Sequence, residues 1–240
     1  MRAKSLGLAV LLPVVAACST GSAVAATHSY GLTSFDRIRV SGPFDVHVHV
    51  GGSPSARATG PQEAIDRLSV EQQGNQLVIK PLPGGWGGWP TGFHGKLVID
   101  VVAPAVSNLV VSGSGNVSVD RAKGDQLDLV LSGSGTLDVA AIDVTSLTAT
   151  LTGSGDVTLA GRSRQARTTL TGSGDLKAAG LAVDDATVGL VGSGDLTIGA
   201  RHTAKGSLAG SGDITIAGPA ACAISRSGSG DVHCAHEAQN

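Results

Sequence analysis

Two Trp, one Tyr and three Phe are all the aromatic residues in a chain of 240, and there is a single Met. A core without rings must be built from Val, Leu, Ile and Ala, which suits narrow, regular stacking better than a bulky interior. Excess charge is missing as well: 17 Lys and Arg stand against 19 Asp and Glu, for a formal net charge of −2. That leaves no electrostatic argument for nucleic acid or for an anionic membrane surface as partner. After residue 25 no apolar run is long enough to cross a bilayer. The chain also has no Gly-x-Ser-x-Gly elbow, no His-Glu-x-x-His pair and no phosphate-binding loop. No cofactor is expected, and no catalytic residue or metal ligand set stands out.

What the chain does have begins with an address. Arg2 and Lys4 precede an apolar stretch from Leu6 to Ala17, the pattern of an export signal. Val15-Ala16-Ala17-Cys18 then resembles the bacterial lipobox, in which Cys18 becomes the acylated first residue of a lipoprotein. Cleavage after Ala23-Val24-Ala25 is the rival reading, and both imply export. If Cys18 is acylated, the Ser19 that follows resembles outer-membrane sorting, with the lipid as the only contact with the membrane. The expected organisation is a lipoprotein signal over 1–17, a flexible tether over 18–34 and one β domain over 35–236.

Glycine is abundant, at 35 residues, and it recurs in time. Gly-Ser-Gly triplets start at Gly113, Gly133, Gly153, Gly172, Gly192, Gly210 and Gly228, in steps of 18 to 20 residues. Two places before the triplets stand Val111, Leu131, Leu151, Leu170, Leu190 and Leu208. Two places after them stand Val117, Leu137, Val157, Leu176, Leu196, Ile214 and Val232. Alternation of apolar and polar residues on both sides of a triplet reads as strands with one face inward. Glycine suits the corner because a sharp bend needs backbone angles that side chains forbid. A repeat near 19 residues is too short for a strand-helix-strand unit, so the expected fold is all-β, a parallel β-helix of stacked coils. "IRVSGPFDVHV" is a worn copy that aligns Val40 with Val111 and Val46 with Val117. Residues 35–104 are read as irregular N-terminal coils with a cap, and 105–236 as the regular repeats.

The serial "GSGD", with "FDRIRVSGPFDVHVHVG", "LSVEQQGNQLVIK" and "KLVIDVVAP", resembles the head GIN domain family, which carries an autotransporter-adhesin label. The resemblance spans residues 35–234. It implies a β-helical fold in a surface or periplasmic setting, and it supplies no activity.

Four groups of residues are candidates for chemistry. Asp156, Asp175, Asp195, Asp213 and Asp231 take the same place in successive repeats, with Asn116 and Thr136 completing the column. They read either as caps that bond to backbone N–H groups at the corner or as a ladder for a cation such as calcium. Thr148, Thr150, Thr152, Thr169 and Thr171 form an outward threonine patch, either a binding surface or simply good exposed strand formers. Trp86, Trp89 and Phe93 put half the chain's aromatics into one Gly-rich stretch, Pro83 to Gly95. These rings suit a sugar, a headgroup region or a partner's pocket, or else they plug the solenoid end. His47 and His49 share one strand face in a spacing that can hold a metal, but no third ligand is visible.

Three cysteines are an odd number for an exported chain. With Cys18 taken by the lipid, Cys222 and Cys234 remain. In the repeat frame Cys234 follows Ile198 and Ile216 in an inward slot, and Cys222 follows Ala186 and Ala204 in another. A Cys222–Cys234 disulfide across the last coil is therefore expected. The functional expectation is a noncatalytic exported protein that meets a glycan or protein ligand at the envelope, with self-association left open. The alternatives are a polysaccharide-active β-helix enzyme and a calcium-dependent scaffold built on the aspartates.

Overall fold

The computed structural model describes residues 26–82 and 96–235. They form a parallel β-solenoid of about six turns, nearly all strand. The strands before the regular repeats are β1 (Ala26–Gly31), β2 (Arg37–Ser41), β3 (Asp45–Val50), β4 (Ser55–Gly60), β5 (Leu68–Gln73), β6 (Gln76–Pro81) and β7 (Val98–Ala103). One short helix, α1 (Gln62–Ile65), lies between β4 and β5. The repeats are β8 (Asn108–Gly113), β9 (Asn116–Val119), β10 (Ala122–Gly133), β11 (Thr136–Gly153), β12 (Asp156–Gly172), β13 (Leu176–Gly192), β14 (Leu196–Gly210), β15 (Ile214–Ala217), β16 (Ala221–Gly228) and β17 (Val232–Cys234).

The apolar columns face the interior as their alternation requires. Val111, Leu131, Leu151, Leu170, Leu190 and Leu208 lie one above another and are fully or almost fully buried. Each aliphatic side chain so buried contributes about 1.5–3 kcal/mol. The return between corners is itself strand: Ile142–Val144 pairs with Gly161–Ser163 on the next coil. Differences in coil length are absorbed by register shifts, between Val139 and Ile142 and again between Thr158 and Ala160. The corners never slip. Gly133, Gly153, Gly172, Gly192, Gly210 and Gly228 are partners in unbroken succession.

Coil order departs from chain order at the N-terminal end. β2 and β3 pair on one side with β8 and β9, as the alignment of the worn copy expects, with Val40 opposite Val111 and Val46 opposite Val117. On their other side they pair with β6 and β7, so the later strands form the outermost coil. The chain thus enters at the second coil, runs out to the first, and returns to the third. The outermost strands are covered by antiparallel partners, β5 on β6 and β4 on β7. In α1, Ala64 and Ile65 are buried.

Ala26–Gly31, expected as part of the tether, is strand: β1 pairs antiparallel with β4 from Ala26–Gly60 to Gly31–Ser55 and covers an edge that would otherwise be bare. The Thr33 N–H, donating to Gln72 Oε1 at 2.8 Å, fixes the chain beyond it.

Both glycines of a corner lie against the coil before, but only the first also takes a special backbone angle. The first, such as Gly172 at φ +131°, takes a backbone angle closed to most side chains. The second has no such angle. A Cβ on Gly174 would instead run into the carbonyl oxygen of Gly155 in the coil before it. The expectation that backbone freedom explains both positions is corrected accordingly: close approach governs the second.

Among the described residues, one buried side-chain polar atom lacks a partner. Thr168, between Ala149 and Val188, is completely buried, and its hydroxyl has no hydrogen-bond partner. Thermal melts should therefore separate three substitutions. Gly174→Ala should lose about 2–3 kcal/mol or more through collision with backbone. Gly189→Ala, where a Cβ meets nothing nearer than 4.0 Å, should be neutral or gain up to about 1 kcal/mol. Thr168→Val should gain about 1 kcal/mol by removing an unpaired hydroxyl from the core.

Candidate functional site

The aspartate column stands on the coil surface just past the corners, and it is knitted to the backbone. The Asp175 N–H donates to Asp156 Oδ1 at 3.2 Å, and the Asp195 N–H to Asp175 Oδ1 at 3.2 Å. The Asp213 N–H donates to Asp195 Oδ1 at 3.1 Å, and the Asp231 N–H to Asp213 Oδ1 at 2.8 Å. Four of the five carboxylates, Asp156, Asp175, Asp195 and Asp213, thus hold the coil that follows, rather than their own corner. The column extends backward through side chains, from Thr136 Oγ1 to Asn116 Oδ1 and from Asn116 Nδ2 to Asp45 Oδ1, both at 2.8 Å. Like charges about 5 Å apart repel, and two cations relieve part of that. Lys177 lies 3.2 Å from Asp175; its ammonium is held above its ordinary value by that hydrogen bond and then by the charge of Asp156. Arg226 lies 2.7 Å from Asp231. With one oxygen of most of these carboxylates accepting an N–H, the column has the chemistry of a clamp.

Among the described residues no group of three or more His, Cys, Asp or Glu side chains is arranged to hold a metal ion. His47 and His49 go separate ways. His47 Nδ1 lies 2.7 Å from Ser118 Oγ, and His49 lies 3.8 Å from Asp120. Asp100 is the register partner of His47 on β7, but among the described residues no ion pair joins them. β3, which carries both histidines, is paired on one side with β7 and on the other with β9, so its N–H groups belong to ladders.

The threonine patch is two coils wide. Thr150 faces Thr169 and Thr152 faces Thr171, but Thr148 faces Arg167, and the next coil continues the rows with Gly189 and Val191. Trp86, Trp89 and Phe93 lie outside the described residues, as does Cys18. The strands on either side of the aromatic stretch are described: β6 is stacked on β2 and β7 on β3.

Cys222 and Cys234 are joined by a disulfide, with Cα atoms 6.6 Å apart. Their register is inward, opposite Ala204 and Ile216. Cys222 is nonetheless exposed, since no described coil lies beyond this one to cover it. Arg226 occupies the slot that Leu208 fills one coil earlier, and its guanidinium donates to Gly230 O at 3.1 Å and to Asp231. The open end is thereby closed with a covalent bond and a charge.

Sequence reasoning missed the bend between the short return strand and the strand leading to the next corner. There Arg162 forks onto Asp143 at 2.8 and 2.9 Å, which holds the Asp143 carboxyl below its usual range. Two hollows lie along this bend. The "RSRQAR" run, Arg162 to Arg167, was the available signal.

A regular coil stack, clamped at its corners, defines the protein as a parallel β-solenoid. The chain belongs to the family described as "Putative auto-transporter adhesin, head GIN domain", whose profile matches residues 34–220. Among solved structures it is similar to a "putative adhesin" of Bacteroides fragilis, with TM-score 0.81 and 22% identity over 89% of this chain and 98% of that one. A "putative lipid binding protein" of Parabacteroides distasonis gives TM-score 0.71 at 21% identity, over 88% and 96%. A "putative adhesin" of Parabacteroides merdae gives 0.67 at 21%, over 89% and 97%. At these identities the likeness is one of fold. None of the curated proteins compared with the chain matches it.

The clamp assignment has a direct check. Asp195→Asn keeps an oxygen for the Asp213 N–H and should melt within about 0.5 kcal/mol of the parent, while Asp195→Ala should lose about 1 kcal/mol. Millimolar calcium should shift neither the parent nor the variants; a calcium-dependent rise abolished by Asp195→Asn would restore the cation ladder.

Proposed function

We propose that the protein is a noncatalytic, exported solenoid that works by surface interaction at the cell envelope, tethered through a lipid on Cys18. One observation carries the reading. The residues that first suggest chemistry, the Gly-Ser-Gly triplets and most of the aspartates after them, are consumed in holding coil to coil. What remains free is a rigid shaft of polar faces. A shaft held by continuous ladders presents contacts without reorganising, which suits recognition over an extended surface. The adhesin description shared by the family and by two of the structural relatives points the same way. The lipid-binding description of the other relative has little to rest on here, because Leu82 and Val191 are the only large apolar side chains strongly exposed among the described residues.

Trp86, Trp89 and Phe93 are the proposed contact side chains, since aromatic faces suit a glycan or protein ligand. Mass spectrometry of the membrane fraction should find an acylated Cys18 at the mature N-terminus. Replacing Trp86 and Trp89 together by Ala should leave the melting temperature unchanged and weaken binding to envelope fragments by about tenfold. A loss of stability instead would make the rings a plug for the solenoid end, and a double variant unchanged in both measurements would remove the segment from the ligand contact.

A further inference from the structure

The two hollows at the bend adjoin each other, with volumes of about 520 and 500 Å³. Charge in the first is largely neutralised: Arg162 is forked on Asp143, and Arg201 stands 3.8 Å from Asp184. Arg164 lines the same hollow, and among the described residues no carboxylate comes within ion-pair distance of it. The second hollow is different in kind. Its one carboxylate, Asp185, accepts the Thr203 hydroxyl at 2.6 Å. Arg167 and Lys205 line it without an acidic partner among the described residues, and both are exposed. Between them in one row stands Thr187, and Thr148 continues that row below Arg167.

The spacing of that row selects a ligand. Arg167 and Lys205 are two coils apart, about 10 Å along the solenoid axis. An extended polysaccharide advances by nearly one coil per pyranose ring, so anionic groups on alternate sugars would meet both cations in turn. The ring between them would face the Thr187 hydroxyl, and the Gln165 amide lies beside Arg167 on the coil below; both groups suit sugar hydroxyls. Arg167 can grip a carboxylate with two parallel, charge-assisted N–H donors, a stronger pairing than uncharged sugar hydroxyls offer.

We infer that this bend is a binding groove for an acidic polysaccharide carrying one carboxylate per disaccharide, laid along the solenoid axis across Arg167, Thr187 and Lys205. The inference rests on the surface-interaction reading and names the ligand class for it. A second copy of the chain, offering its aspartate column, is the competing occupant.

Titration calorimetry on the full mature chain tests it, with hyaluronan hexasaccharide as the acidic probe and cellohexaose as the neutral one. The hexasaccharide should bind and cellohexaose should not, and binding should weaken as salt is raised. Arg167→Gln with Lys205→Gln should weaken it by at least about tenfold, with an unchanged melting temperature, while Lys177→Gln at the aspartate column should bind as the parent does. Equal binding of cellohexaose, or a double variant that binds like the parent, overturns the groove. Light scattering that shows a parent dimer lost in the double variant would assign the bend to a second copy and overturn it too. A parent that binds envelope fragments but not the hexasaccharide overturns the groove alone; one that binds neither overturns the surface-interaction reading with it.

Discussion

One carbonyl per coil holds this molecule in register. The first glycine of each corner offers its oxygen to two N–H groups of the next corner, those of the Ser and of the second Gly. Gly133 O accepts from Ser154 and Gly155, both at 3.0 Å, and Gly153 O accepts from Ser173 at 3.0 Å and Gly174 at 3.2 Å. The pattern repeats through Gly172, Gly192 and Gly210. Two donors can converge on one oxygen only if the corners touch backbone to backbone, and a Cβ on either glycine removes that approach. The triplet is therefore a steric requirement of the stack, and the neighbouring aspartate, reaching one coil onward, adds a third tie at the same edge.

A fixed corner sets what the rest of the coil can be. Side chains two places to either side must point inward, and with about 5 Å between coils they form ladders of like residues. Aliphatic residues fill such a ladder; large rings do not, which accounts for the scarcity of aromatics. Phe35 and Phe44 are buried near the N-terminal end, where coils are irregular and space is not periodic. Segments far from the corner have more freedom. Insertions and deletions there are taken up as bulges, so coil lengths vary while the corners stay aligned.

That division also decides what the sequence made legible. Period and alternation are local, and they revealed the fold, the inward columns and the inward slots of Cys222 and Cys234. Coil order at the N-terminal end is not local: the worn copy around Gly42 resembles every other corner equally, and nothing in its residues says that β6 and β7 stack outside it. The strand character of Ala26–Gly31 was hidden because its pairing partner, β4, lies in a different stretch of chain. For the aspartates the residue type was readable, and so was a bond to backbone N–H. Which N–H was not, since the acceptor reaches across coils. The hollows at the bend escaped for another reason: Thr148, Arg167, Thr187 and Lys205 each stand five places before a triplet, but the residue type changes from coil to coil, so no repeated side chain marks the row.

Constraint and function consequently occupy different residues. A position that faces inward, or that forms a corner, cannot change without breaking its ladder, and this fixes much of every coil. The outward positions of the strands, above all those at the bend, are the ones a solenoid can vary at little cost in stability. A Thr, Arg, Lys, Asp or Gln fits there equally well as far as the stack is concerned. On the surface-interaction reading, recognition is written in these outward rows, and their spacing comes ready-made from the ladder itself. A ligand read by such a surface needs a repeat commensurate with the coils. That condition favours extended polymers over compact molecules, whichever outward row carries the contact.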